Sequence, residues 1–156
     1  VKKQRQKFAL YDAFHFDNSG CISLDLSNRA YTSDGAKTFE FTSREVRKVL
    51  EHLKAESESN SIRISHIFFN QTNQQVVSFI KNLINKFFPR TMVPTNVKTR
   101  GNLNSASIPA LIYDNRISDE NIDPSKYSVF LTFGAGLGVT YLAIPNTTFN
   151  QIDYCT

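Results

Sequence analysis

The sequence predicts an α/β fold, a five-stranded mixed sheet with helices on its faces, in the order β-β-α-β-α-β-α-β-β. Three observations lead there. Ile64 to Phe69 and Val129 to Phe133 are short, β-branched and aromatic, which suits buried strands. Apolar residues recur at helical spacing in Val46, Val49, Leu50 and Leu53, and again from Val76 to Phe87. The two kinds of segment alternate, so each can bury the other's apolar side.

Taken in order, Phe8 to Phe16 and Cys21 to Leu26 flank Asp17-Asn18-Ser19-Gly20, a turn-forming run, and read as a hairpin. A polar stretch runs on to Lys37. Thr42 and Glu45 then form a capping-box pattern ahead of a helix over about 43 to 56. Glu56 to Ser61 carries no apolar side chain and reads as an exposed loop. After the Ile64 to Phe69 strand, Asn70 to Asn73 lead into a second helix that Pro89 stops. Met92 and Val93 form a short strand. Gly101-Asn102 opens a third helix, in which Ser105, Ala106 and Ser107 permit close backbone approach and Pro109 falls in the first turns. Val129 to Phe133 and Val139 to Ile144 are strands joined through Gly134-Ala135-Gly136-Leu137-Gly138.

The 156 residues suffice for one domain that buries roughly 68 to 70% of its unfolded surface. A single domain over 1–156 is expected, with 145–156 a C-terminal extension of modest structure. The net charge of +4 owes much to Lys2, Lys3, Arg5 and Lys7. Beyond them cations mix with Asp and Glu, which argues against a nucleic-acid stripe. No run approaches the roughly 20 apolar residues that span a bilayer. Phe8 to Phe16 is broken by Asp12 and His15, unlike a secretory signal, so the expected location is cytoplasmic. Cys21 and Cys155 stand alone, without metal-ligand spacing or a disulfide framework, and no metal is expected. Asn70-Gln71-Thr72 and Asn146-Thr147-Thr148 match a glycosylation pattern short enough to arise by chance. Gly134-x-Gly136 is not a dinucleotide turn: the next glycine stands at 138, one position early, and a strand follows where a helix is required.

Three stretches in order carry a family resemblance. Gly101-Asn102-Leu103-Asn104-Ser105-Ala106-Ser107-Ile108-Pro109 resembles the G-N-T-S-A-A-S-I-P stretch of ketoacyl-ACP synthase III. Phe133-Gly134-Ala135-Gly136-Leu137-Gly138 is similar to its F-G-G-G-F-T or F-G-A-G-L-T turn, and Asn70-Gln71-Thr72-Asn73-Gln74-Gln75 lies where the family has H-Q-A-N-L-R. Asp34 to Thr42 is a softer match to the segment entering the first helix. The resemblance implies the C-terminal half of a thiolase fold, one of two repeated halves, the other presenting the nucleophilic cysteine.

That resemblance also implies roles. Asn102 falls on the family's catalytic asparagine and Asn70 on its catalytic histidine, while Ala135 falls where a backbone N–H completes the oxyanion hole. Asn73 and Gln75 fall where the family receives the phosphopantetheine arm, with Gln75 in place of an arginine. Lys81, Lys86 and Arg90 are candidates to compensate for that lost charge. The substrates implied are acyl-CoA or acyl-ACP thioesters, with no cofactor. An asparagine amide donates to an oxygen but does not titrate near neutrality as imidazole does, so acyl binding or simple transfer is favoured over decarboxylative condensation.

Plainer readings stand beside these. Asn70 and Asn102 also suit helix capping. Phe68, Phe69, Phe79, Phe87 and Phe88 suit a core better than an acyl tunnel, and His66 reads as a core or surface histidine. Two functions follow: completion of the active site of a cysteine-bearing N-terminal half, or a non-catalytic, degenerate subunit that shapes an active homologue. Either way an apolar face centred on the Leu103 to Tyr113 helix should be left open, making the chain an oligomer or part of one.

Overall fold

A computed structural model describes residues 10–15, 22–25, 30–33, 35–115, 123–133 and 138–151. Strands β1 (Leu10–His15), β2 (Ile22–Asp25) and β3 (Ala30–Ser33) precede the long helix α1 (Gly35–Ser59). There follow β4 (Ile64–Phe69), α2 (Gln74–Phe87), the short α3 (Val97–Arg100), a 3-10 turn (Asn104–Ala106) and α4 (Ser107–Asp114). Strands β5 (Tyr127–Phe133) and β6 (Gly138–Pro145) lead into a 3-10 segment, Asn146–Gln151.

The main sheet has four strands, ordered β1-β6-β5-β4, and β2 with β3 forms a separate two-stranded ribbon. β4 and β5 are parallel, while β6 runs antiparallel to both β5 and β1, so the sheet is mixed as expected. The expected strand count is corrected. Met92 makes only an isolated parallel bridge to His66, because Pro89 and Pro94 on either side allow no longer run of ladder hydrogen bonds. Met92 N–H donates to Ser65 O at 2.8 Å, Ile67 N–H donates to Met92 O at 2.9 Å, and Thr91 Oγ1 donates to Ile64 O at 3.1 Å.

Side-chain alternation along the strands builds two cores. Ile67 and Phe69 of β4, Val129, Leu131 and Phe133 of β5, and Val139, Tyr141 and Ala143 of β6 face α1 and α2. Those helices contribute Val46, Val49, Leu50 and Leu53, and Val77, Ile80, Leu83 and Ile84. On the opposite face Phe68 stacks on Phe130 at 5.5 Å and packs against Leu111 of α4, with Ile108, Ile112 and Ile144 around them. Phe68 and Phe69 are thus core residues of opposite faces, and Phe79, Phe87 and Phe88 pack around the larger cluster, the plainer of the two readings.

The expected hairpin is not formed. β1 pairs with β6 in register Leu10↔Ala143, and β2 pairs instead with β3, which falls in the stretch taken as merely polar. The turn residues Asp17 to Gly20 and both cysteines lie outside the described residues. Helix α1 also exceeds the expected 43 to 56 at both ends. At its start, Phe41 is buried and Phe39 meets Phe79 edge to face at 5.2 Å, so tertiary packing draws the first turns into the helix. Thr42 is therefore an interior residue, and Glu45 pairs with Arg44 at 2.7 Å and Lys48 at 3.0 Å instead of capping. At the far end Ser57 is buried and Asn60 Nδ2 donates to Glu56 O, so the stretch expected to be loop is mostly helix. The expected third helix starts later than Gly101-Asn102: Gly101, at positive φ, and the 3-10 turn precede α4, which begins at Ser107, and the short α3 ahead of Gly101 is unexpected. Pro109 does sit in the first turn of α4.

Past β6 the chain is anchored. Asn146 is fully buried; its Oδ1 accepts from Ser128 Oγ at 2.9 Å, and its Nδ2 donates to Ser65 Oγ at 3.0 Å and Asp123 O at 2.9 Å.

The unequal cores predict unequal sensitivity. Leu50→Ala, inside the closed larger cluster, should cost about 3–5 kcal/mol, whereas Leu111→Ala, in a cluster half open to solvent, should cost about 2 kcal/mol. Equilibrium urea unfolding of both variants checks this, and equal losses would contradict the two-core description.

Candidate active site

Asn70 stands just past the carboxyl end of β4, and parallel pairing of Phe69 with Leu131 brings the end of β5, at Phe133, to the same edge of the sheet. The connection from 134 to 137, which holds Ala135, lies outside the described residues, as does the turn expected to supply the oxyanion amide. Asn70 Oδ1 is shielded from solvent and bonded to nothing among the described residues, and so are Thr72 Oγ1 and Ser107 Oγ. A buried polar atom left without a partner costs about 1–3 kcal/mol.

Of the pair expected to receive a pantetheine arm, Asn73 is the N-cap of α2. Its backbone is extended and its Oδ1 accepts from Val76 N–H at 3.0 Å, leaving the exposed Nδ2 as a donor. Gln75 is an exposed residue in the first turn of the same helix. A single cap therefore sets where both begin.

Asn102 is held differently. Gly101 before it takes φ 68° and ψ −158°, a region essentially reserved to glycine, and Asn104 after it is left-handed at φ 49°. Between them Asn102 Oδ1 accepts from Asn104 N–H at 2.8 Å, closing an Asx turn. Only the carbonyl end of an amide can accept that proton, so the bond orients the group and leaves its NH2 facing solvent as a donor. The helix-capping reading of Asn102 is replaced by this turn, while Ser107, buried at the start of α4, carries an unpartnered hydroxyl.

What links the Asn70 and Asn102 segments is a run of polar side chains that motif reading missed. Gln71, fully buried, donates from Nε2 to Phe69 O at 3.0 Å and accepts at Oε1 from Asn96 N–H at 3.2 Å. Asn96, also buried, donates from Nδ2 to Asp114 Oδ2 at 2.7 Å. Arg100 grips the same carboxylate from Nε, at 2.8 and 2.9 Å to its two oxygens, and its NH2 group binds it too. Asn96, Arg100 and Asp114, with Thr95, Thr99 and Asn115, line an open cleft of about 510 Å³. Hydrogen bonds from Arg100, then Asn96, hold the Asp114 carboxyl below its ordinary value, and the same contact raises Arg100.

His66 cannot stand in for Asn70. Four strand residues at about 3.3 Å each set them roughly 13 Å apart. Its ring stacks on Phe68 at 5.8 Å, its Nδ1 lies 2.9 Å from Ser65 Oγ, and burial, then the charge of Lys126, push its pKa down, so it is neutral at neutral pH. Among the described residues no cluster of three His, Cys, Asp or Glu could hold a metal, and no helix is long and apolar enough to cross a membrane.

Comparison with known proteins matches residues 44–144 to the family described as 3-Oxoacyl-[acyl-carrier-protein (ACP)] synthase III C terminal. The chain is 24% identical over 137 residues to beta-ketoacyl-[acyl-carrier-protein] synthase III of Prochlorococcus marinus (strain MIT 9515), covering 88% of this chain and 38% of that one. Among solved structures it is similar to 3-oxoacyl-(acyl-carrier protein) synthase from Burkholderia xenovorans LB400, with TM-score 0.67 and 20% identity over 88% of this chain and 44% of that one. It is also similar to 3-oxoacyl-[acyl-carrier-protein] synthase III from Aquifex aeolicus VF5, with TM-score 0.66 and 16% identity over 92% and 46%. These likenesses establish an α/β, thiolase-like fold, and the chain spans less than half the length of the relatives it matches.

Two outcomes test the local geometry. Gly101→Ala should cost about 1–3 kcal/mol from backbone strain alone, since an added Cβ would meet nothing within 4 Å; thermal or urea unfolding measures it. The Asp114 carboxyl should titrate below 3.8, and Arg100→Gln should move it back toward that value. A depressed folded pKa gives a contribution that is complete above the unfolded value and lost as pH falls through the folded one, so the clamp opens only in acid. Carboxyl 13C NMR titration reads both.

Proposed function

Because this chain belongs to the 3-Oxoacyl-[acyl-carrier-protein (ACP)] synthase III C-terminal family, we propose that it supplies the hydrogen-bond-donor side of an acyl-thioester site whose cysteine comes from a thiolase-fold N-terminal half, on the same polypeptide or another. The observation that carries this is the Asx turn at Asn102, which spends the amide's oxygen locally and leaves its NH2 to meet an incoming oxygen.

The chemistry would run as follows. In acyl transfer the cysteine sulfur adds to the thioester carbonyl to give a tetrahedral oxyanion, for which a backbone N–H at Ala135 is the proposed donor, and collapse breaks the C–S bond to CoA or the carrier arm, whose thiolate leaves and takes up the proton given up by the cysteine. When a malonyl thioester loses CO2, the electron pair left behind is delocalised onto the thioester oxygen, where the Nδ2 groups of Asn70 and Asn102 donate. The carbanion carbon then attacks the acyl-cysteine carbonyl, and the thiolate leaves. Removing one donor of this kind typically costs about 10² to 10³ in rate. Asn70 stabilises that oxygen but cannot exchange a proton with the thiol, so acyl binding or transfer is favoured over condensation. Asn73 and Gln75 receive the pantetheine arm without the fixed charge an arginine would bring.

The docking surface is the α4 face of the sheet. Tyr113 there is 74% exposed and Leu142 is exposed too, while Ile108, Ile112, Phe130 and Ile144 are only partly covered. An apolar face of this kind calls for a cover, and the N-terminal half is the occupant proposed. The second reading, a degenerate subunit that stabilises an active homologue through the same face, is favoured by one observation: Asn70 stands in place of an imidazole, and its Oδ1 is shielded and bonded to nothing among the described residues.

Mixing the chain with a cysteine-bearing half and an acyl-CoA should give an acylated cysteine by mass spectrometry; a stable complex without that adduct supports the second reading. Asn102→Ala should slow malonyl decarboxylation by about 10²-fold or more, and Asn70→His should raise it by a comparable factor. Light scattering on the chain alone should show association, and a monomer at high concentration would remove the docking surface.

A further inference from the structure

We propose that Gln71 and Asn96 are positioning residues, which through Asp114 and Arg100 fix the presentation of the Asn102 amide relative to the Asn70 segment. The proposal deepens the reading above and rests on it for the catalytic meaning of Asn102, though not for the coupling itself.

The path is continuous. Gln71 follows Asn70 directly, and both ends of its buried amide are used, Nε2 on Phe69 O and Oε1 on Asn96 N–H. Asn96 N–H is the start of the segment that becomes α3, and its side chain passes the contact to Asp114 at the end of α4. Asp114 returns it to Arg100, the last residue of α3 and two positions before Asn102. Four side chains therefore brace α3 between β4 and α4, and the bracing ends where left-handed Gly101 sets up the Asx turn.

Both partners of the Gln71 amide are backbone groups, the Phe69 carbonyl and the Asn96 N–H, so an apolar side chain of like shape would leave two backbone groups unsatisfied. What the polar pair adds is direction: a hydrogen bond fixes an angle and a register that a methyl contact leaves free.

Gln71→Met keeps the buried volume and removes both bonds. Hydrogen exchange on the purified chain should show the Asn104 amide, which donates to Asn102 Oδ1, exchanging on the order of tenfold faster, while amides of β5 and β6 keep their protection. The double exchange Asn96→Asp with Asp114→Asn, which reverses donor and acceptor across the same contact, should recover part of that protection where each single variant does not. Equal acceleration across Asn104, β5 and β6, or none at Asn104, overturns the proposal, because a merely structural role acts on the whole fold. In the reconstituted pair, Gln71→Met should lower kcat for decarboxylation with KM unchanged. If the pair carrying the unaltered chain is inactive, the catalytic reading fails, and the exchange pattern still decides the coupling.

Discussion

Parallel pairing of β4 with β5 demands cover on both faces, because each strand presents large apolar side chains in both directions. Helices on the two faces meet that demand unequally. α1 and α2 seal one side, with Leu50, Ile80 and Ile84 fully removed from water. The eight-residue α4 spans only part of the other, over Phe68. The asymmetry places the segments with functional promise on the thinly covered side: Ser107 opens α4, Asn102 precedes it, and Tyr113 faces solvent from its last turn.

The same asymmetry explains where polar groups are buried. At one end of the sheet Ser128, Asn146, Ser65 and the Asp123 carbonyl satisfy one another, so the network closes and the chain past β6 is tied down. At the other end Asn70, Thr72 and Ser107 have shielded oxygens that meet no partner among the described residues. Completed polar networks hold a fold together and specify its geometry. The contrast within one sheet separates the structural end from the end where chemistry is proposed.

Local signals were legible in the sequence and distant ones were not. β4, β5, β6 and α2 follow directly from alternation and helical spacing, because each is decided by its own residues and the layer it packs on. β1 was legible as a strand but not in its pairing: the Asp17 to Gly20 turn signal is local, whereas the partner, β6, lies near the other end of the chain. α1 begins early because Phe39 and Phe41 find contacts on α2 and in the core, and these outweigh a capping pattern at Thr42. Of the candidate site, the family-like stretches are what single out Asn70, Asn73 and Asn102. Gln71 lies inside the Asn70 to Gln75 stretch, and nothing in that stretch signals its burial or its two hydrogen bonds. Asn96 and Asp114, 18 positions apart, carry no spacing pattern that would join them.

Met92, Thr91 and Gln71 have a joint effect on how molecules of this chain meet. The outer margin of β4 would otherwise offer its free carbonyls and amides to any passing strand, the usual seed of fibrous aggregates. Here Thr91 and Met92 occupy Ile64 O, Ser65 O and Ile67 N–H, and Gln71 occupies Phe69 O. Lateral extension of the sheet past β4 is blocked by a proline-flanked turn and one amide side chain, so that margin offers a passing strand few free ladder groups.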